Sequence, residues 1–244
     1  MKSLTAILLL STAIVLPSLA EEAVATFDAA NALYAQGKYT TAAKAYESLV
    51  ADGTTSATLY FNLGNAYFKA GQIGHAIASY RRAEQLAPRD PDVRGNLGFA
   101  RNHVSAGNTP QKNLLQRALG KLTLNEWASL SAIAFWAWLI LLSLRELKPA
   151  LRTALTRHSL MTGLLTLALS GCTVADYAVN HFSKSAVVIR ETQAKAGPLE
   201  DSQNTFTAKD GTELTVLDER EDWLQVSDPR NRLGWIKRSE VEVF

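Results

Sequence analysis

Two uncharged runs, Trp127 to Leu144 and Ser159 to Ala175, interrupt an otherwise mixed pattern of apolar and polar positions. As helices rising about 1.5 Å per residue, each is roughly 26 Å long, enough with flanking residues to cross a hydrocarbon core. The pattern predicts spans over 125–145 and 158–179, joined by a connector over 146–157. Around that connector Arg145, Lys148, Arg152 and Arg157 meet a single acid, Glu146. A basic connector predicts a cytoplasmic turn, with the flanking regions sharing the opposite compartment. A buried pair of core helices is the competing reading. Trp127, Trp136 and Trp138 weigh for the membrane, although Trp136 lies deep in its run. Lys112, Arg117 and Lys121, just outside the first span, make the charge bias modest.

Before the spans the apolar period is helical and repeats. Gly37 and Gly71 lie 34 residues apart, as do Gly64 and Gly98, Asn31 and Asn65, Ala42 and Ala76, and Tyr46 and Tyr80. A period of that length predicts stacked helix-turn-helix units. The array is expected over 23–106, with the helix after Pro91 acting as a cap. Next, Leu114, Leu115, Ala118, Leu119 and Leu122 form one stripe with basic residues elsewhere around it. This predicts an amphipathic interfacial helix over 111–123, or else an additional helix packed on the repeats.

After Ser185 the pattern becomes that of β-structure. Short runs at Ala186–Ile189, Glu213–Leu217, Trp223–Val226 and Gly234–Ile236 are separated by turn chemistry such as Lys209-Asp210-Gly211 and Asp228-Pro229-Arg230-Asn231. Residues 184–244 are therefore expected to form a small barrel of five short strands. At the other end, Met1-Lys2, the apolar stretch Leu4 to Leu16 and Ser18-Leu19-Ala20 make a signal peptide over 1–20.

The formal net charge of +2 conceals an uneven distribution. Residues 21–110 are balanced, 111–158 carry seven basic residues against two acidic, and 183–244 carry nine against twelve. The excess lies beside the spans, where anionic headgroups attract it, and neither flanking region has a nucleic-acid footprint. Cys172 is the one cysteine, so no intramolecular disulfide can form. Leu169-Ser170-Gly171-Cys172 has the letters of a lipoprotein box but lies mid-chain, and small-residue packing is the simpler reading. His75, His103, His158 and His181 have no metal-ligand spacing, and no nucleophile motif occurs. Asp176, near the end of a span, is expected to reach the interface beside Tyr177. We expect no enzyme, no cofactor and no metal.

Three resemblances add to this reading. Ala57 to Pro88 resembles a tetratricopeptide repeat, through Tyr60, Leu63-Gly64, Tyr67, Gly71, Ala76, Tyr80, Ala83 and Pro88. Ala23 to Thr54 matches more weakly, with Ala30 where the first glycine belongs. The resemblance implies a groove bearing Phe27, Asn31, Tyr34, Phe61, Asn62, Asn65, Phe68 and Lys69. Asparagines there are suited to gripping a peptide backbone, while the alternative is that several of these residues pack between helices. A grip on a terminal carboxylate is disfavoured, since Phe27, Asp92 and Asn96 stand where it needs basic residues.

Residues 184–244 resemble a bacterial SH3 (SH3b) domain, through Lys195-Ala196-Gly197-Pro198, Asp210-Gly211-Thr212, Asp222-Trp223-Leu224-Gln225-Val226 and Gly234-Trp235-Ile236. Trp223 and Trp235 are then either surface or core. The order of segments resembles the BatE-type family of the bacterial aerotolerance (Bat) operons. That resemblance implies a non-enzymatic scaffold at the bacterial inner membrane with periplasmic domains. It further implies partners among von Willebrand A-domain membrane proteins and a MoxR-type AAA+ ATPase. A sensor of peptidoglycan is the alternative. The fold class expected is multidomain: an all-α repeat array, a two-helix transmembrane hairpin and an all-β SH3-like barrel.

Overall fold

A computed structural model describes residues 24, 26–105, 114–182 and 184–244. The expected signal peptide and the segment Gly107-Asn108-Thr109-Pro110 lie outside the described residues. The chain divides into two compact units, one made of residues 1–109 with 185–244, the other of 110–184.

The first unit begins with five helices: α1 over residues 26–35, α2 Tyr39–Ala51, α3 Ala57–Lys69, α4 Ile73–Leu86 and α5 Pro91–Ser105. Their ends follow from local chemistry. Ser56 caps α3 by accepting the Leu59 N–H at 3.1 Å, and Asp90 accepts from Asp92 and Val93 ahead of α5, where Pro91 suits the first helical position. Gly37 and Gly71 stop α1 and α3 at φ 76° and 79°, the left-handed turn the 34-residue recurrence predicted. At Gly64 an added Cβ would lie 2.6 Å from the Tyr80 ring, so glycine lets α3 and α4 approach. Ala30, Ala42, Ala76 and Ala83 are fully buried along the same seams.

The rest of this unit is one antiparallel sheet of seven strands: β1 Ser185–Val188, β2 Thr192–Lys195, β3 Asn204–Ala208, β4 Glu213–Arg220, β5 Trp223–Ser227, β6 Leu233–Lys237 and β7 Val241–Val243. Its order is β3-β2-β6-β5-β4-β1-β7. This corrects the expected closed barrel of five strands. β1 uses its two edges on β4 and β7, and β2 uses its own on β3 and β6. β3 and β7 are thus the two ends of an open sheet, each paired on one side only.

β1 also explains how helices and sheet meet. Ala186, Val187 and Val188 are all fully buried, which a strand with one wet face does not allow. Ala186 and Val188 enter the core of the sheet with Leu214, Leu224, Val226 and Ile236. Val187, on the opposite side of the pleat, joins the helical core beside Ile77 and Leu97.

Around Val187 the fit is close. A Cβ on Gly74 would collide with the Val188 carbonyl oxygen, and one on Gly211 would lie 2.6 Å from Val104. Gly74 N–H donates to Asp210 at 3.1 Å. Arg101 binds Glu213 through two bonds of 2.8 Å, Arg81 approaches the same carboxylate at 3.5 Å, and Arg82 binds Glu242 at 2.6 Å. The Arg81 guanidinium lies 4.4 Å from the Phe244 ring centre.

The repeat register gives this joint its meaning. Thirty-four residues before Arg101 stands Tyr67, which stacks on His75 of α4, its own repeat's second helix, at 4.9 Å. Arg101 has no second helix among the described residues and meets β4 instead. The sheet meets α5 through Arg101 on Glu213 and Val104 beside Gly211, and meets α4 through Gly74, Arg81 and Arg82.

The second unit contains a short helix α6 (Leu114–Leu119), then α7 (Leu124–Leu147), a 3₁₀ turn at Pro149–Leu151 and α8 (Arg152–Phe182). Of the helix expected over 111–123, residues 120–123 are turn rather than helix and 111–113 lie outside the described residues; Leu119 is buried and its carbonyl accepts the Trp127 indole N–H at 3.1 Å. Thr123 and Glu126 form a reciprocal capping box at the start of α7. The connector expected over 146–157 is mostly helical, since α7 runs to Leu147 and α8 starts at Arg152.

By length and composition, α7 and α8 are the two described helices long and apolar enough to cross a membrane. Their packing reverses the order of a soluble core. Ser159, Thr166, Asp176 and Ala134 are buried, while Ile133, Trp136, Ile140, Leu164 and Leu167 are exposed. Ser131 and Thr173 meet across the pair at 3.0 Å, and a Cβ on Gly163 would lie 3.0 Å from the Trp138 indole nitrogen. Small and polar residues inside with large apolar ones outside is the arrangement lipid favours. Asp176 is buried, at 4% exposure, whereas Tyr177 beside it is exposed.

Candidate interaction surfaces

The first helix of each repeat unit carries the residues expected to bind a peptide. Asn31 and Asn65 occupy equivalent places and make equivalent bonds. The Asn31 carboxamide oxygen accepts from the Tyr46 hydroxyl at 2.6 Å and from Asn62 Nδ2 at 3.1 Å. The Asn65 oxygen accepts from Tyr80 at 2.7 Å and from Asn96 Nδ2 at 2.8 Å. Both oxygens have therefore used both lone pairs on ties between helices. Burial raises the pKa of the Tyr46 and Tyr80 hydroxyls, so both act as donors throughout the physiological range.

These ties engage only part of each carboxamide. Asn31 and Asn65 keep their N–H groups, and Asn62 and Asn96 keep their carboxamide oxygens, outside those four bonds. All four side chains are half-buried. A row alternating donors with acceptors complements an extended peptide backbone, which offers both in turn.

The aromatic residues divide into two groups. Phe27 and Phe61 lie 5.8 and 6.0 Å from Tyr46 and Tyr80 and pack against the helical core. Tyr34 meets the ring of Tyr39 at 5.2 Å. Phe68 is half-buried against the same core, and its ring neighbours are Phe99 at 5.4 Å and His103 at 5.9 Å, of which Phe99 is 64% exposed. Lys69 beside it is exposed. Phe99 and His103 were not among the residues expected from sequence. The signal was present: Phe99 is 34 residues beyond Asn65, so the third unit carries phenylalanine where the first two carry asparagine.

On the sheet, the two tryptophans also separate. Trp235, at 6% exposure, is core, with the Arg220 guanidinium 5.3 Å from its ring. Trp223 is half-buried, with Lys237 Nζ 5.8 Å from its ring. Lys237 and Lys195 both bind Glu200, whose pKa is lowered chiefly by its bond from Lys237. Leu217 and Leu233 are exposed on the same sheet. Nearby, Asp228 shapes the turn before β6, accepting the N–H groups of Arg230 and Arg232 at 2.9 and 2.8 Å. Among the described residues, no three His, Cys, Asp or Glu side chains are grouped to hold a metal ion.

With this geometry in hand, comparison with known families is specific for the two parts of the first unit. Residues 27–91 match the tetratricopeptide repeat and residues 187–242 match the bacterial SH3 domain. No curated protein matches the chain.

Proposed function

We propose that this chain is a non-enzymatic scaffold, anchored in the bacterial inner membrane by α7 and α8, that receives protein partners on the open face of its repeats. The carrying observation is the unspent chemistry of that face: alternating amide donors and acceptors, ending at the exposed Phe68–Phe99–His103 cluster. An extended peptide fits it, with its backbone on the asparagines and one apolar side chain against Phe99. Tetratricopeptide and bacterial SH3 domains both point towards interaction with proteins or peptidoglycan. The basic connector favours a cytoplasmic turn and periplasmic placement of the first unit. Segment order supports a place in a Bat-type envelope or oxidative-stress system, with von Willebrand A-domain proteins and a MoxR-type AAA+ ATPase as partners.

The test is affinity capture from detergent-solubilised native membranes, comparing wild type with Phe68→Ala/Phe99→Ala. These substitutions spare the Asn65–Tyr80 tie and leave the helices intact. Loss of von Willebrand A-domain proteins or the ATPase in the variant supports the reading, while identical recovery moves the contact elsewhere. A wall-binding role for the sheet is the second reading, favoured by the accessible Trp223 beside Lys237. Co-sedimentation of the full chain with purified wall, abolished by Trp223→Ala, would support it over the scaffold.

A further inference from the structure

A shallow groove of about 580 Å³, largely open and lined by α8 alone, runs along one side of that helix at the basic end of the hairpin. Arg152, Thr153, Thr156 and Arg157 line its first part, and Leu160, Met161 and Leu164 line the rest. We propose that this groove binds one anionic glycerophospholipid. Its phosphate lies between the Arg152 and Arg157 guanidinium groups, and the first carbons of an acyl chain lie along Leu160, Met161 and Leu164. The inference rests on the reading of α7 and α8 as membrane spans.

Charge and axial order both support this occupant. Arg145 is bonded to Glu146 at 2.8 Å, and Arg152 feels that carboxylate without bonding to it, whereas Arg157 has no acidic partner within bonding distance among the described residues. Arg152 and Arg157 are both exposed, and guanidinium forks match phosphate oxygens bidentately. Thr156 donates its hydroxyl proton to the Arg152 carbonyl at 2.7 Å, which leaves the Thr153 hydroxyl to assist. Arg152 to Leu164 spans about 18 Å along a helix, so a single face passes from cationic to apolar over the depth of a headgroup and upper acyl chain.

Two features select the ligand. Inorganic phosphate would use only the polar half and would make no contact with Leu160, Met161 and Leu164. A zwitterionic lipid would bring its own ammonium group beside two guanidinium groups, which repel it. A phosphate diester whose headgroup adds no cation, attached to acyl chains, uses the whole groove.

The test is native mass spectrometry of the full chain released from detergent containing equal phosphatidylglycerol and phosphatidylcholine. The wild type is expected to retain one phosphatidylglycerol, and Arg152→Gln/Arg157→Gln to weaken retention roughly thirtyfold. Arg145→Gln/Lys148→Gln removes the same charge from the neighbouring segment and is expected to leave retention almost unchanged. Equal losses in the two variants would overturn the proposal in favour of diffuse attraction. Equal retention of both lipids, or displacement of phosphatidylglycerol by inorganic phosphate, would also overturn it. Alkaline carbonate washing of native membranes tests the underlying reading separately: release of the chain refutes the spans, whereas retention with no lipid preference refutes only the groove.

Discussion

The helical array has two faces built from one repeat and used in opposite ways. On one, Arg81, Arg82 and Arg101 spend their charges on Glu213 and Glu242, and Gly74 and Gly211 bring backbone against backbone. On the other, the asparagines make only local ties and Phe99 stays exposed. The covered face has its polar groups matched and its apolar gaps filled, as a core does. The open face keeps amide donors and acceptors outside its local ties and leaves the Phe99 ring exposed beside Phe68. A repeat can serve both ends because its period sets where the helices go and leaves their outward residues free to differ.

The largest break in this comparison is expected at the joint. Gly74→Val places a branched side chain against the Val188 carbonyl, where backbone must move, and overpacking of that kind costs about 1–3 kcal/mol or more. Glu213→Ala leaves Arg101 and Arg81 beside a cavity at a site only 8% exposed, and breaking one partner of a buried pair costs about 3–5 kcal/mol. Burial, aided by the nearby Arg101 charge, lowers the Arg81 pKa, and Glu213 is the first group opposing that. For Arg101 burial also works against the charge, but its bonds to Glu213 more than offset it. Urea unfolding of the full chain in detergent should show the helical signal shifting with the sheet in both variants. Independent transitions in the wild type would refute the joint.

A smaller loss is expected from Asn65→Ala. The Tyr80 hydroxyl is then buried without its acceptor, at a cost of about 1–3 kcal/mol, read as a lower denaturation midpoint. Asn31→Ala should behave alike through Tyr46. If either variant were neutral, the asparagines would be free for ligand and the open face would be simpler than described.

Legibility in sequence followed the same division. The 34-residue register marked Gly37 and Gly71 as turns, whereas the Asn31–Tyr46 and Asn65–Tyr80 bonds were not anticipated, the asparagines being expected to face a peptide. The joint was not legible, since Arg101 and Glu213 lie 112 positions apart and each alone resembles an ordinary surface charge. One clue lay in β1, whose Ala-Val-Val run lacks the alternation of a half-exposed strand. Strand count and closure were also hidden: β2 and β3, Thr192–Lys195 and Asn204–Ala208, are short and polar, with no apolar run to mark them. Among the expected site residues, Trp235 is buried and Phe61 half-buried beside Tyr80, while Phe99 was overlooked because the third unit carries phenylalanine where the first two carry asparagine.

Acid separates the joint from the sheet itself. Burial would raise the Asp228 pKa, but the Arg232 and Arg230 N–H groups and the Arg232 guanidinium outweigh it, holding the carboxyl below its ordinary value. A depressed folded-state pKa gives stability that is present above the unfolded value, about 3.9, and lost as pH falls through the folded one. Asp228→Asn should remove that dependence and cost about 1–3 kcal/mol at neutral pH. Thermal melts between pH 7 and pH 3 check this, and an unchanged acid slope in the variant would assign it to other carboxylates.

The smallest expected effect on stability is the most informative about function. Phe99 is 64% exposed and touches mainly Phe68, so Phe99→Ala should change stability by less than about 0.5 kcal/mol. In partner capture it should nevertheless act as strongly as an interface anchor, because an exposed ring at the end of a donor–acceptor row has its value only when covered. The paired control is Leu86→Ala, equally apolar and 53% exposed but outside the asparagine row. Loss of partners with Phe99→Ala and not with Leu86→Ala would place recognition on the open face by a route that leaves the joint untouched. Equal effects of the two would mean that general stickiness, rather than the arrangement of the repeats, brings partners to this array.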